Sequence, residues 1–414
     1  MLSVATATLL CADKMSAESI TQQLENEKVI ATTSQSGFMP DISLIVDVGY
    51  TKESLDFDDE HLEIPGLVHG GGDMHEGHSH TQLAGNDGFN LNYAELSIGA
   101  SVDNYFDLMS VFHISEEDIE IEEAFATTTS LPYHLKAKIG KFKSDFGYLN
   151  AKHAHNYNFN EAPLIYQALL GDHGINEKGI QLQYIIPSSI YIMAGVEMLR
   201  GENEQSFGTE GFLDVEDVSQ PSLWLGYLKT SFELADGTLL AGVSMAQGES
   251  RIDHLEDEET PHAFAGDSTL YGVDFTYKRY FSADNAITWQ NEYIYRELDG
   301  NQYKLDNSSL LLNKKQAGFY SELIYQHNRN YRAGLRYSAI TQNDVIANGK
   351  DKEMTDDIAV TSAMLEYNFS EYSRLRLQYN HNGSLYNEDG IKNNKDEILL
   401  QFNYSIGAHG AHSF

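Results

Sequence analysis

His69, Asp73, His75, Glu76, His78 and His80 crowd one short polar stretch whose core is His75-Glu76-Gly77-His78-Ser79-His80. Neutral imidazoles and carboxylates in a short tract suit a divalent ion such as zinc, copper or nickel. Gly70-Gly71-Gly72 inside the tract argues against a closed structural site. His75-Glu76 does not begin a metalloprotease helix, because the position four residues after His75 is Ser79. His69, Asp73, His75, His78 and His80 are therefore candidate ligands for a loosely held metal, set against the plainer alternative of a polar loop rich in histidine. No resident cofactor is expected apart from such an ion. No Gly-x-Ser-x-Gly elbow stands out, so hydrolytic chemistry is not expected.

A second group of reactive side chains alternates with apolar ones. Arg332 and Arg336 alternate with Ala333, Leu335 and Tyr337. Arg374 and Arg376 alternate with Leu375, Leu377 and Tyr379, and Glu366 sits in the segment between. Lys136 and Lys138, with His134, lie beside Asp118, Glu120 and Glu122 of the preceding segment. Period-two alternation is the signature of a strand with one apolar and one wet face.

The same rhythm runs along the chain. From Asp41 onward, about sixteen strand candidates, each near ten residues and among them Phe106 to Ile114 and Leu223 to Leu234, are joined in turn by a short turn and a longer polar loop, such as those around Asp299-Gly300-Asn301 and from Asn343 to Glu353. A soluble sandwich has no reason to keep this parity; short turns on one side and long loops on the other are the pattern of a transmembrane barrel. The fold expected is an all-β, antiparallel up-and-down transmembrane barrel of about sixteen strands. Each arginine facing lipid would cost about 2 to 4 kcal/mol at mid-membrane, so Arg332, Arg336, Arg374, Arg376, Glu366, Lys136 and Lys138 are expected to line the lumen.

Composition agrees. The chain has 414 residues and a mean hydropathy of −0.39, and no run of about 18 apolar residues crosses a membrane as a helix. Tyr 25 and Phe 19 against Cys 1 and Pro 7 suit aromatic-girdled strands. A formal charge of −35 argues against nucleic acid as a partner and would draw cations to the loops. Cys11 alone forms no disulfide within the chain.

Residues 1–18 read as a secretory leader without a basic start, so the stretch is either truncated or no leader. Residues 19–38 read as a polar, partly helical lead, and 39–414 as the barrel. The 144–178 loop carries Phe146, Tyr148, Tyr157, Phe159, Leu164, Ile165 and Tyr166, too apolar a set to stand in water. With His153 and His155 it is the candidate constriction loop, folded into the barrel; a packed surface loop or a subunit contact is the alternative.

The closing segment has Ile398, Leu400, Phe402, Tyr404 and Ile406 on one face and ends on Phe414. It resembles the C-terminal signal that outer-membrane barrels present to their assembly machinery. It is expected to pair with Asp41 to Tyr50 and to run toward the short-turn side, which parts His409 and His412 from the His69–His80 tract. Asn92 to Gly99, Phe146-Gly147 to Pro163, Glu177-Lys178-Gly179-Ile180 and Ile406 to Phe414 resemble an uncharacterised group of Gram-negative outer-membrane proteins. That group is similar to the phosphate-selective porin O/P type, and some members are described as zinc-regulated. The resemblance covers about 40 to 414 and implies an outer-membrane channel or receptor linked to metal supply. Phosphate selectivity does not carry over, because Glu366 stands among the arginines. The function expected is diffusion of small hydrophilic solutes or ions, with a homotrimer by analogy and outer-membrane lipid as surroundings. A metal-capturing surface receptor with a loop-closed lumen is the alternative, and an outer-membrane lipase a third.

Overall fold

The computed structural model describes residues 40–54, 64–67, 87–116, 118–203, 205–256, 261–352, 354–355, 358–386 and 392–407. The expected leader (1–18) and polar lead (19–38) lie outside them. So do His69, Asp73, His75, His78, His80, His409, His412 and Phe414.

Seventeen strand segments form one antiparallel sheet. They are β1 Asp41–Glu53, β2 Gly88–Ser101, β3 Phe106–Ile114, β4 Ile119–Thr128, β5 Leu135–Lys143, β6 Asn176–Ile185, β7 Tyr191–Leu199, β8 Leu223–Leu234 and β9 Gly237–His254, then β10 His262–Tyr280, β11 Ala286–Tyr303, β12 Ser309–His327, β13 Tyr331–Ala347, β14 Lys350–Lys352, β15 Ile358–Ser370, β16 Ser373–Tyr386 and β17 Lys392–Gly407. One edge of β13 pairs with β12 along its length, while β14 and β15 share the other. They are two pieces of one strand, so the barrel has 16. β1 pairs with both β2 and β17, which closes it.

The seam is polar inside and apolar outside. Val46 lies opposite Tyr404 and Val48 opposite Phe402 on the outer face. Asp47 between them is fully buried. The amides of Gln401 and Asn403 donate to Asp47 Oδ2 at 2.7 and 2.9 Å, and the Asn92 amide donates to Oδ1. Asn92 is the extra residue of a bulge, because Asp47 pairs with Tyr93 and Val48 with Leu91.

The outer wall leaves Ile121, Ile139, Val196, Leu335, Leu365 and Ile406 about half or more exposed. A continuous apolar band of this kind is stable only against lipid. Exposed aromatics flank the short turns, among them Tyr105, Tyr133, Tyr280, Phe281, Tyr331 and Tyr372, as an interfacial girdle requires. Ala235 and Asp236, at φ 46° and 64°, make the tight turn between β8 and β9.

Three expectations need correction. β9 to β13 run 18, 19, 18, 19 and 17 residues, well beyond a membrane span of about 9 to 11. The expected loop around Asp299-Gly300-Asn301 is strand, with Gly300 opposite Gly266, and the expected Asn343–Glu353 loop is strand through Ala347. Outside the lipid band both faces are wet, so alternation fades while backbone pairing continues. His134 belongs to no strand; it sits in the β4–β5 turn at φ 58°.

The segment between β5 and β6 turns into the barrel. It carries a 3-10 turn at Ala154–Asn156 and a helix α1 at Leu164–Leu170, which starts after Pro163 and ends at Gly171 with φ 70°. All seven α1 residues are buried. With Phe142, Phe146 and Leu149, all of them but Gln167 form an apolar core inside the lumen against wall residues such as Leu223, Leu270, Ile294 and Ile340. Two wall glycines make the space: a Cβ on Gly272 would lie 2.9 Å from the Phe146 ring, and one on Gly318 would lie 2.7 Å from Ile165.

Candidate channel constriction and its charged wall

Three sets of polar contacts hold the inserted loop. On one side, Glu292 of β11 receives its first turn. Tyr148 N and Leu149 N donate to its carboxylate at 2.8 and 3.0 Å, and the Tyr166 hydroxyl donates at 2.8 Å. The Tyr320 hydroxyl donates to it as well. Gly147 N donates to Ser244 Oγ at 3.1 Å.

On the other side stand the arginines. Arg332, Arg336 and Glu366 lie on inward positions of β13 and β15, and Arg374 and Arg376 on β16. Arg376 Nε and Nη2 donate to Glu366 Oε2 at 3.0 and 2.7 Å, and Arg332 Nη1 donates to Glu366 Oε1 at 3.0 Å. The remaining donors reach the loop. Arg374 donates to His155 O at 2.7 Å, Arg376 to Tyr157 O at 3.1 Å and Arg336 to Glu161 O at 2.8 Å. Arg336 also pairs with the Glu161 carboxylate and lies 4.6 Å from the Phe159 ring centroid. Gln378 donates to both Glu161 oxygens. Arg336 and Arg376 are buried under the loop, whereas Arg332 keeps 24% of its side chain open.

Third, a cluster where the loop meets β2 and β4. His153 Nδ1 lies 3.2 Å from Glu122 Oε2 and 3.5 Å from Glu95 Oε2; its Nε2 lies 2.8 Å from Glu123 Oε2. His155 Nδ1 is 3.0 Å from Glu95 Oε2, and the two rings stack at 5.7 Å. Lys143 pairs with Glu122 at 3.0 Å. Glu122 and Glu123 both face inward because the β3–β4 register shifts at Val111/Phe112 and leaves Glu122 as the extra residue. Burial opposes charge on His153, but the surrounding carboxylates outweigh it and hold its pKa well above the usual histidine value. Burial wins at His155, which is lowered despite Glu95. The ligand atoms of Glu95, Glu122 and His153 lie within 4.8 Å of one another, a set that can hold a cation.

A cavity of about 830 Å³ opens on the short-turn side of the loop. Its charged lining is Lys152, Lys278, Arg329, Arg332 and Arg374 against Glu366 and Glu371. Burial lowers Lys152 to about 8, with Glu322 and Glu292 working against it; its Nζ lies 3.7 Å from the Tyr148 ring centroid.

Of the expected lumen residues, Lys136 and Lys138 sit opposite Gln183 and Gln181, whose amides reach Asp145 at the loop's start, so both lysines share the inner face. Of the expected loop residues, Phe146 and Phe159 are fully buried anchors, His155 is buried, and Tyr148, Tyr157 and His153 are half-buried. Glu95, Glu123, Glu161, Glu292 and Tyr320 escaped the sequence reading. Carboxylates on inward positions of apolar strands were the available signal, since Glu292 shares its strand face with Gln290, Ile294 and Arg296 as Glu366 does with Ser362 and Met364.

No family model matches the chain. An uncharacterised protein of Aquifex aeolicus is 44% identical over 391 residues, 93% of this chain and 82% of that protein. A loop L8 deletion mutant of OmpT, an outer membrane protein of Vibrio cholerae, is similar at TM-score 0.51 and 15% identity over 89% of this chain and 99% of that one. OmpT is also recorded in a trimer form. An anion-selective porin from Comamonas acidovorans is similar at TM-score 0.50 and 11% identity, again over 89% and 99%. At such identities the likeness is one of fold, the porin-like barrel of the bacterial outer membrane.

Proposed function

The chain belongs to one family with the uncharacterised Aquifex aeolicus protein, and from its porin-like barrel we propose that it is a diffusion channel for small hydrophilic solutes or ions in a Gram-negative outer membrane. One observation carries this reading: a loop pinned across the lumen beside a wide cavity with Arg332, Arg374, Lys278 and Glu366 in its wall. Charge in that number needs water around it, and a barrel of sixteen strands is wide enough for an aqueous path. Arg332, Arg374, Lys136 and Lys138 line that path. Arg336 and Arg376 act one step back, by fixing the loop. Purified protein in planar bilayers is expected to give stepwise currents; no current under any voltage or salt would sink the channel.

The second reading is a metal-capturing receptor whose lumen the loop closes. The apolar core inside the barrel favours it. Zinc is expected to bind either at the His69–His80 tract or at Glu95, Glu122 and His153. Calorimetry with zinc on wild type, His75/His78/His80→Ala and His153→Ala separates the two, and identical isotherms for all three would remove metal from both. By analogy with trimeric porins the chain is proposed to form a homotrimer, inserted by the barrel assembly machinery. Light scattering of the detergent-solubilised protein checks this, and a monomer mass would count against it.

A further inference from the structure

At the long-loop end, β9 to β14 enclose a cavity of about 140 Å³ under Gly66, Leu67 and Gln205. Its wall is amphiphilic, with His254, His262, Gln302 and Lys352 on the polar side beside Arg296 and Lys314. Phe264, Leu298, Leu312 and Val345 form one apolar cluster on inward strand positions. Lys314 lies among them, directly opposite Leu298 on one neighbour and Val345 on the other. It makes no hydrogen bond or ion pair with any described residue, and its charged neighbours are Arg296 and Lys352, both of its own sign. Arg296 is 1% exposed, and its partners are neutral: Gln316 Oε1, Gln205 O and Ser206 Oγ.

Burying one unpaired cation costs several kcal/mol. Here a buried cation, Arg296, and a half-buried one, Lys314, lie side by side with no carboxylate among the described lining residues, in a chain of net charge −35. An anion would supply the counter-charge that no described lining residue does. The rest of the wall says what kind. An inorganic anion would meet only the polar side of this wall and gain no contact from Phe264, Leu298 or Val345, whereas an anion with an apolar body uses both sides. A cavity of about 150 Å³ lined by apolar side chains takes a benzene, so the space fits one ring or a branched chain.

We propose that this cavity binds a small organic monocarboxylate of about the size of benzoate. The carboxylate accepts from Lys314 Nζ within the field of Arg296, and the apolar body packs on Phe264, Leu298 and Val345. The site lies on the inner wall at the end opposite the 830 Å³ cavity, and its existence does not depend on the lumen conducting.

The test is calorimetry on the full detergent-solubilised chain with sodium benzoate, benzyl alcohol and inorganic phosphate. Benzoate is expected to bind, with the neutral alcohol and phosphate each weaker by at least about tenfold. Lys314→Met is expected to weaken benzoate by at least about tenfold. Val345→Phe, which fills the apolar side and leaves the charge alone, is expected to weaken it as well. Retained heat-modifiable migration on a gel verifies that both variants are folded barrels. The proposal is overturned by absence of benzoate heat in wild type, by equal affinity in Lys314→Met, or by phosphate binding as tightly as benzoate. Benzoate binding in a protein that passes no current would retire the channel reading and leave this site standing.

Discussion

Glu292→Leu is expected to release the inserted loop and raise single-channel conductance several-fold. The Glu292 carboxylate is the acceptor for two backbone amides at the start of the loop, one hydroxyl from α1 and one from the adjacent strand β12. All four lie in a water-poor region beside the apolar core. Leucine fills similar space but accepts nothing, so Tyr148 N and Leu149 N lose their partner. An unsatisfied buried donor costs about 1 to 3 kcal/mol, and the contributions do not simply add; a loss of about 3 kcal/mol in loop docking is a reasonable scale. The barrel keeps its backbone ladder, so the variant should still fold and migrate as a barrel. Glu292→Gln retains one acceptor oxygen and is expected to fall between. Planar-bilayer conductance, together with chymotrypsin cleavage at Tyr148 and Phe159, reads the release. Unchanged conductance and unchanged protection in Glu292→Leu would show that the apolar core alone holds the loop.

Raising the pH is expected to loosen the same loop from its other side, through His153. Both ring nitrogens face carboxylates, Nδ1 toward Glu122 and Glu95 and Nε2 toward Glu123, so the ring is held doubly protonated. Its folded pKa is raised well above the unfolded value near 6.5 despite burial. A raised pKa fixes the sign. The contribution to docking is complete below the unfolded value and is lost as pH rises through the folded one. Wild-type conductance is therefore expected to step upward on the alkaline side of neutrality. In His153→Ala the step should vanish and the loop should be looser at every pH, because Glu95, Glu122 and Glu123 then face one another with Lys143 alone between them and His155 uncharged. Recordings across a pH series with a chelator present keep metal out of the comparison. The same alkaline step in His153→Ala would exclude His153 as its origin.

The strands were legible because their physics is local. β3 at Phe106–Ile114 and β8 at Leu223–Leu234 have the bounds that alternation and turn residues predict. The closing pair of β1 and β17 was legible too, since an even meander with apolar outer faces must join its ends. The inward face of Arg332, Arg374 and Arg376 followed from the cost of an arginine in lipid. Where alternation fails, the reading failed with it, as at Asp299–Asn301 in β11, where both faces are wet and pairing alone makes the strand.

The inserted loop marks the boundary between the two sources of knowledge. Its composition, with Phe146, Phe159 and Leu164 to Leu170, required burial somewhere. Its partners did not follow from composition, because Tyr148 meets Glu292 and Tyr157 meets Arg376 only once the barrel has closed and brought distant strands around one lumen. The sequence alone determined that there is a barrel, which way its side chains face, and that one loop is too apolar for water. Tertiary structure alone decided that arginines such as Arg336 and Arg376 hold that loop rather than face open water, and that Lys314 has no counter-charge among the described residues. Alternation reports which side of a wall a residue takes, and closure of the sheet decides what it meets there.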